Sequence, residues 1–209
     1  MFFPDVHTHF LTGNTNAILN ANSSIDSFHS RGIHPWCVDE TITLEKLESD
    51  LQYPKCIALG EIGLDKICSS DFNIQRKVFT KQIELSEKYN LPVIIHCVRA
   101  SNELFQFKKE IKPTQHWIWH GFNKANLLKQ TIENEIIPSF GETILKNDDL
   151  RNELANLESN QFLLETDTST FSIETIYKTV AEIRNQSIES LQKEQISNFE
   201  RIFTKWQIG

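Results

Sequence analysis

Residues 92–96 read Pro92-Val93-Ile94-Ile95-His96, a short apolar run that ends in a histidine. An apolar run without polar alternation is typical of a strand that is buried on both faces, as in a parallel sheet. The stretch Trp117–His120 repeats the pattern, and Phe162–Asp167 repeats it with a carboxylate at the end. The pattern therefore predicts parallel strands that carry chemically reactive side chains at their carboxyl ends.

Eight such runs occur along the chain, and each is predicted to be a strand. They are Phe2–His7, Ala17–Ala21, Phe28–His34, Cys56–Glu61, Pro92–His96, Trp117–His120, Ile136–Phe140 and Phe162–Asp167. Apolar residues spaced by three, four or seven predict helices between or after the later runs. These residues are Ile74, Val78, Leu85 and Tyr89; Ile173, Ile176, Val180 and Ile183; and Ile196, Phe199, Phe203 and Trp206. This α/β alternation predicts a TIM-type (β/α) barrel near its lower size limit of about 200 residues.

The N-terminal part of the chain is too short for a regular barrel. Seven residues separate His9 from Ala17, and six separate Ala21 from Phe28, whereas a crossover with a helix needs about ten to twelve. The first two crossover helices are therefore expected to be missing. Residues 22–26 resemble a hairpin connection, which favours a second strand antiparallel to the third. We expect a barrel that is distorted or incomplete on this side.

Composition sets the remaining limits. The 209 residues, 39% of them hydrophobic, predict one globular domain over 1–209. A net charge of −7 argues against nucleic-acid binding that is driven by overall charge, so an anionic substrate needs local cations. With no long apolar run and no signal-peptide pattern at the start, we expect a cytoplasmic protein without membrane contact. The four cysteines lack CxxC spacing and are expected to be reduced, buried thiols.

A set of histidines and carboxylates follows the predicted strands. His7 and His9 lie two residues apart, so on an extended segment both imidazoles reach the same ion; two uninvolved surface histidines are the alternative. Four more groups occupy the same relative place, namely Glu61, His96, His120 and Asp167. Because the carboxyl ends of barrel strands converge, these six groups predict a site for two divalent metal ions, Zn, Mn, Mg or Fe.

The ordered motifs resemble those of the TatD family of metal-dependent deoxyribonucleases, within the amidohydrolase-like barrels. They are Asp5–His9, Gly32–Pro35, Gly60–Asp65, Ile95–Cys97, His120–Phe122, Leu164–Asp167 and the C-terminal Asn198–Phe203. The resemblance covers about residues 3 to 204. It implies a two-metal phosphodiesterase that acts on DNA, often from a 3′ end.

The resemblance also implies a role for each ligand. His7 and His9 would bind the first ion, His96 and His120 the second, and Glu61 would bridge the two. Asp167 would hold the first ion and orient its water, and Asp167 or Glu61 would accept the proton. Asp65 and Glu165 are better placed to orient ligating imidazoles.

Substrate-side residues are harder to predict. His34 would touch a phosphate or act as an acid, or it is bonded within the turn before Pro35. Arg99 would supply a bidentate phosphate contact, or it forms a surface salt bridge. Lys124 is a weaker candidate, whereas His29 and His116 are assigned to structure. Trp36, close after His34, is the tryptophan most worth testing as a base-stacking residue.

Departures from the family pattern bear on the substrate. Thr168–Thr170 replaces the family's usual Ala-Pro-Tyr, and Lys66 and Ile67 replace aromatic residues. These departures, together with the acidic charge, favour a small substrate. The resemblance itself implies DNA or a small phosphodiester as substrate, with a small amide, lactone or phosphomonoester as the alternative. A non-catalytic metal-binding scaffold is the third hypothesis. We expect a monomer or a weak homo-oligomer.

Overall fold

A computed structural model describes residues 2–10, 17–23, 25–39 and 41–206. It contains eight strands: β1 (Asp5–Thr8), β2 (Ala17–Asn20), β3 (His29–Arg31), β4 (Cys56–Asp65), β5 (Val93–Val98), β6 (Trp117–Trp119), β7 (Ile136–Phe140) and β8 (Leu163–Leu164). The α-helices are α1 (Glu45–Asp50), α2 (Phe72–Tyr89), α3 (Ser101–Ile111), α4 (Leu128–Glu133), α5 (Asp148–Ala155), α6 (Ile173–Ile183) and α7 (Ile188–Ile202). Of these helices, none combines the length and the hydropathy needed to cross a bilayer.

The strands form a parallel barrel in chain order. Every neighbouring pair from β1–β2 to β7–β8 is parallel. The ring closes just beyond β8, where Asp167 N–H donates to His7 O at 2.8 Å and His9 N–H donates to Asp167 O at 3.1 Å. The predicted α/β barrel is confirmed, and its closure places Asp167 beside His7 and His9.

The prediction of a hairpin at residues 22–26 is wrong. β2 runs parallel to β3, with Leu19 opposite His29 and Asn20 opposite Ser30. A connection of about eight residues reaches roughly 26 Å, twice the length of a four-residue strand, so it returns to the start of the next strand without a helix. The described residues between β1 and β3 contain no helix, and residues 11–16 and 24 lie outside the described part.

Side-chain alternation separates two apolar layers. Val93 and Ile95 belong to the cluster that includes apolar residues of the surrounding helices, whereas Ile94 belongs to the interior cluster. The same alternation puts Ile118 inside and Trp117 outside. Because residues two apart share a face, His96 and His120 project to the same side as Ile94 and Ile118. The interior of the barrel is therefore apolar towards the amino ends of the strands and carries the candidate metal-binding side chains at their carboxyl ends.

The amino end of the barrel is closed by the C-terminal segment. Phe199, Phe203 and Trp206 join the interior cluster, and Trp206 stacks on Phe2 with ring centroids 5.0 Å apart. The predicted helical spacing through Trp206 is wrong in one respect, because α7 ends at Ile202. The chain leaves the helix there so that Trp206 reaches the residues that precede β1.

The cysteines divide by position. Cys56 and Cys97 are buried as predicted, and burial raises the pKa of the Cys97 thiol to about 12. Cys37, in contrast, is exposed, because it ends a short 3₁₀ turn at the rim of the barrel, and Cys68 is half-buried.

Truncation of a side chain in the C-terminal segment tests how far its packing against the barrel interior stabilises the fold. Phe199 is fully buried against the interior cluster, so Phe199→Ala is expected to lower the free energy of unfolding by about 3–5 kcal/mol. Phe171, which is 40% exposed, is the matched control, and Phe171→Ala should change stability by about 0.5 kcal/mol or less. Urea unfolding measures both. A loss in Phe199→Ala as small as about 0.5 kcal/mol would show that packing of α7 does not stabilise the barrel.

Candidate metal centre

The six predicted ligand groups meet at the carboxyl end of the barrel, with Glu61 at their centre. They come from β1 and the residue after it, β4, β5, and the residues that follow β6 and β8: His7, His9, Glu61, His96, His120 and Asp167. Glu61 itself lies inside β4, four residues before its end, rather than at the end of a strand as predicted. The register between β4 and β5 shifts between Leu59 and Ile62, and β4 continues to pair with β5 from Ile62 to Asp65.

The two oxygens of Glu61 face different imidazoles. Oε2 lies 3.6 Å from Nε2 of His7 and 3.6 Å from Nε2 of His9. Oε1 lies 2.8 Å from Nδ1 of His96 and 2.7 Å from Nε2 of His120. Each oxygen of Glu61 therefore faces its own set of imidazoles.

Asp167 completes the side of the centre that faces Oε2. Its Oδ1 atom lies 3.7 Å from Nε2 of His7 and 3.4 Å from Nε2 of His9. Three groups of donor atoms lie close enough together to hold an ion: His7 with Glu61 and His120, His7 with His9 and Asp167, and His34 with Glu61 and His96. Asp167 is about one-third exposed, so this side of the centre opens to solvent.

The state of His7 fits a metal ligand. The residue is fully buried, and neither ring nitrogen has a hydrogen-bond partner. Burial, followed by the nearby His120 charge, lowers the pKa of His7 below its usual value, so the imidazole is neutral. Buried imidazole nitrogens without partners are costly, and a cation in reach of Glu61 and Asp167 would pair with the free lone pair.

Glu61 and His120 form a strongly coupled ion pair. Burial alone raises the pKa of Glu61, but the close approach of four imidazoles, that of His120 above all, outweighs burial and lowers that pKa. Burial alone lowers the pKa of His120, but Glu61 outweighs it and raises that pKa to about 9. Glu61 is therefore ionised, and protons on the imidazoles balance its charge where a cation would otherwise do so.

Two further carboxylates orient the imidazoles, as predicted for ligand-supporting residues. His96 presents Nδ1 to Glu61 and Nε2 to Oδ2 of Asp65, at 3.2 Å. His120 presents Nε2 to Glu61, and its Nδ1 lies 3.9 Å from Oε1 of the buried Glu165. Burial raises the pKa of Glu165 to about 8. A carboxylate behind each imidazole is the usual arrangement around metal-ligating histidines.

A glycine allows β4 and β5 to approach closely next to the centre. Gly63 has a φ of +153°, and a Cβ at this position would lie 1.9 Å from the carbonyl oxygen of His96. No other residue type fits there without moving the His96 backbone. The close approach of the two strands therefore explains why residue 63 is a glycine.

The predicted substrate-side residues lie in different places. His34 is inside the cluster: its Nε2 lies 3.2 Å from Oε1 of Glu61, and its Nδ1 accepts the N–H of Trp36. Arg99 follows β5 directly, is exposed, and makes no side-chain hydrogen bond or ion pair with the described residues. Lys124, which caps a 3₁₀ turn, has no contact with the carboxylates of the centre among the described residues.

His29 and His116 lie away from the centre. His29 is buried at the start of β3, where its Nδ1 lies 2.8 Å from Ser27 O. His116 directly precedes β6, at the opposite end of the barrel.

Two contributors were missed from the sequence. Asn20 donates from Nδ2 to Oε2 of Glu61 at 3.2 Å; its place at the end of the second apolar run was the available signal. Asp5 is buried and accepts from the N–H and the hydroxyl of Thr166, at 3.0 and 2.7 Å, which ties β1 to the segment that carries Asp167. Burial raises the pKa of Asp5 to about 7.

Comparisons with known proteins identify the family to which the chain is similar. A family model described as TatD related DNase matches residues 5–204. The "3'-5' RNA nuclease TATDN2" of Homo sapiens is 36% identical over 70 residues, which are 32% of this chain and 9% of that protein. The "Uncharacterized metal-dependent hydrolase YjjV" of Escherichia coli is 29% identical over 144 residues, 65% of this chain and 56% of YjjV. The "Putative deoxyribonuclease tatdn3" of Danio rerio is 23% identical over 168 residues, 73% of this chain and 63% of that protein.

The chain therefore spans less than two thirds of the length of each of these relatives in the sequence matches. The fold agrees over a greater length. The crystal structure of YJJV from E. coli superposes with a TM-score of 0.83 at 21% identity, covering 97% of this chain and 98% of that one.

Proposed function

Because the chain belongs to the TatD-related DNase family, we propose that it is a metal-dependent hydrolase that cleaves phosphodiester bonds in DNA. The observation that carries the proposal is the division of the imidazoles between the two oxygens of Glu61. A carboxylate with separate sets of ligands on its two oxygens suits a centre of two cations, and two cations suit displacement at phosphorus.

We assign the ligands in two sets. His7, His9 and Asp167 would hold the first ion, His96 and His120 would hold the second, and Glu61 would bridge them. Divalent ions bound there would lower the pKa of a coordinated water and offset negative charge on the phosphoryl oxygens. Mixed imidazole and carboxylate ligands suit Zn, Mn, Mg or Fe.

The proton of the attacking water is assigned to Asp167. Asp167 has a partly exposed carboxylate, whereas Glu61 is 5% exposed and has both oxygens engaged by imidazoles or Asn20. A group that takes up a proton and returns it to solvent needs access to water, and Asp167 has it. Glu61 would act chiefly by holding the ions.

His34 and Arg99 are assigned to the substrate. Since Nδ1 of His34 accepts the Trp36 N–H, the proton of the neutral ring is on Nε2, which makes that atom a donor rather than a ligand. A donor beside Glu61 suits a phosphate oxygen. The unpaired Arg99 would supply a second contact to the same anion.

A carbonyl-directed hydrolase is the second candidate. The net charge of −7 and the loss of family aromatics after Asp65 and Asp167 favour a small amide or lactone. The same centre would activate water against a carbonyl carbon.

A substrate panel with controlled metal content tests the proposal. Protein stripped with EDTA should lose at least about 100-fold in turnover of single-stranded DNA, and added Mn²⁺, Mg²⁺ or Zn²⁺ should restore it. RNA of the same sequence, bis(p-nitrophenyl) phosphate, amides and lactones complete the panel. Metal-dependent turnover of the carbonyl substrates alone would reject the phosphodiesterase proposal.

A further inference from the structure

One tryptophan stands exposed at the rim of the metal centre. Trp36 lies in the 3₁₀ turn Pro35–Cys37 after β3 and is 63% exposed, whereas Trp117, Trp119 and Trp206 are buried. A large aromatic side chain in solvent is informative when it lies beside a candidate active site.

The indole is held in place by the centre itself. Its Nε1–H donates to Oδ2 of Asp65 at 2.6 Å, the oxygen that also faces His96. Its ring centroid lies 4.8 Å from that of His34 and 5.9 Å from that of His96, nearly perpendicular to both. The backbone is also tied, because Ser70 Oγ donates to Trp36 O at 3.3 Å. A ring fixed in this way loses little entropy when a ligand packs on it.

The loop after β4 also carries an exposed apolar side chain. Ile67 is 59% exposed, and its N–H donates to Oδ1 of Asp65 at 2.7 Å. Asp65 therefore joins the loop after β3 and the loop after β4, with Trp36 on one and Ile67 on the other. Neither of these two exposed side chains carries a charge, unlike the ligand groups of the centre.

We propose that Trp36 is the stacking platform for the heterocyclic base of the nucleotide whose phosphate lies at Glu61. This inference rests on the proposed function and names the part of the substrate that the rim binds. A base lies one sugar away from its phosphate, and Trp36 lies one imidazole away from Glu61, since His34 stands between them. The uncharged, flat indole suits a base and does not suit a phosphate.

The same geometry determines the kind of specificity. The only polar atom of the indole, Nε1–H, is already bonded to Asp65, so it is not available to read the edge of a base. Recognition through the ring face accepts every base, because each has a π surface. Trp36 therefore favours nucleotides over base-free phosphodiesters and does not distinguish the four bases from one another.

Fluorescence tests binding without turnover. In Mg²⁺ buffer, deoxythymidine monophosphate should quench the emission of the wild-type protein, and deoxyribose 5-phosphate should not, because Trp36 is the exposed tryptophan. Trp36→Phe should abolish the quenching. Tyr53→Phe is the matched control, since Tyr53 is an exposed aromatic next to the amino end of β4. Absence of quenching in the wild type, or its persistence in Trp36→Phe, would overturn the proposal.

Kinetics on a paired substrate give the second test. A single-stranded oligonucleotide is compared with the same strand carrying an abasic tetrahydrofuran at the nucleotide next to the cleaved bond. Stacking is lost in the abasic strand and in Trp36→Ala, so KM should rise about 10-fold in each case, with kcat within about twofold. Trp36→Ala should abolish the difference between the two strands, while Trp36→Phe should retain most of it.

The two proposals fail in different ways. If the wild-type protein cleaves no oligonucleotide with any metal, the phosphodiesterase function is wrong, and the fluorescence comparison alone judges Trp36. If it cleaves both strands and Trp36→Ala leaves the abasic penalty unchanged, the function stands and the stacking proposal is wrong.

Discussion

Glu61→Gln is expected to lower kcat on the proposed DNA substrate by on the order of 10⁴-fold and to release the bound metal. Glu61 is the carboxylate that faces His7, His9, His96 and His120 together. The amide keeps the shape of the side chain but removes the negative charge and replaces one acceptor oxygen with a donor. Neither proposed ion would then keep its shared ligand.

Metal content and turnover should be measured on the same preparations of Glu61→Gln. Glu110→Gln is the matched control, because Glu110 is an exposed residue of α3 whose carboxylate accepts only from Gln106 among the described residues. Its metal content and kcat should equal those of the wild type. Full metal occupancy in Glu61→Gln, with turnover near that of the wild type, would contradict the bridging role.

Asp167→Asn is expected to lower kcat by on the order of 10³-fold, since proton acceptance by a positioned carboxylate contributes about 10²–10⁴-fold. The substitution also weakens the ligand set of the first ion, so metal affinity should fall on that side. The fold should persist: Asp167 has a φ of +53°, and Asn adopts this left-handed conformation readily.

The measurement for Asp167→Asn is kcat across pH at saturating metal. Asp149→Asn, on the exposed face of α5, is the control and should behave as the wild type. If Asp167→Asn with both ions bound turns over as fast as the wild type, then Glu61 or another group accepts the proton.

Most of the fold could be predicted from local sequence patterns. Each of the eight apolar runs overlaps an observed strand, because such a run indicates burial on both faces, a property of a few consecutive residues. The ends of five of these runs also located the ligand groups, since parallel strands put their carboxyl ends on one side. The direction of β2 was mispredicted, because residues 22–26 permit either a tight turn or an extended return, and pairing with β3 decides between them.

By itself, the sequence determined that a parallel barrel forms and that imidazoles and carboxylates meet at one end of it, because periodicity and chain order are local properties. Only the tertiary structure decided how these groups are shared. The separate contacts of the two oxygens of Glu61, the support of Asn20, and the anchoring of Trp36 by Asp65 join residues 29 to 59 positions apart in the chain. These contacts depend on barrel closure and strand register, and neither can be predicted from a short stretch of residues.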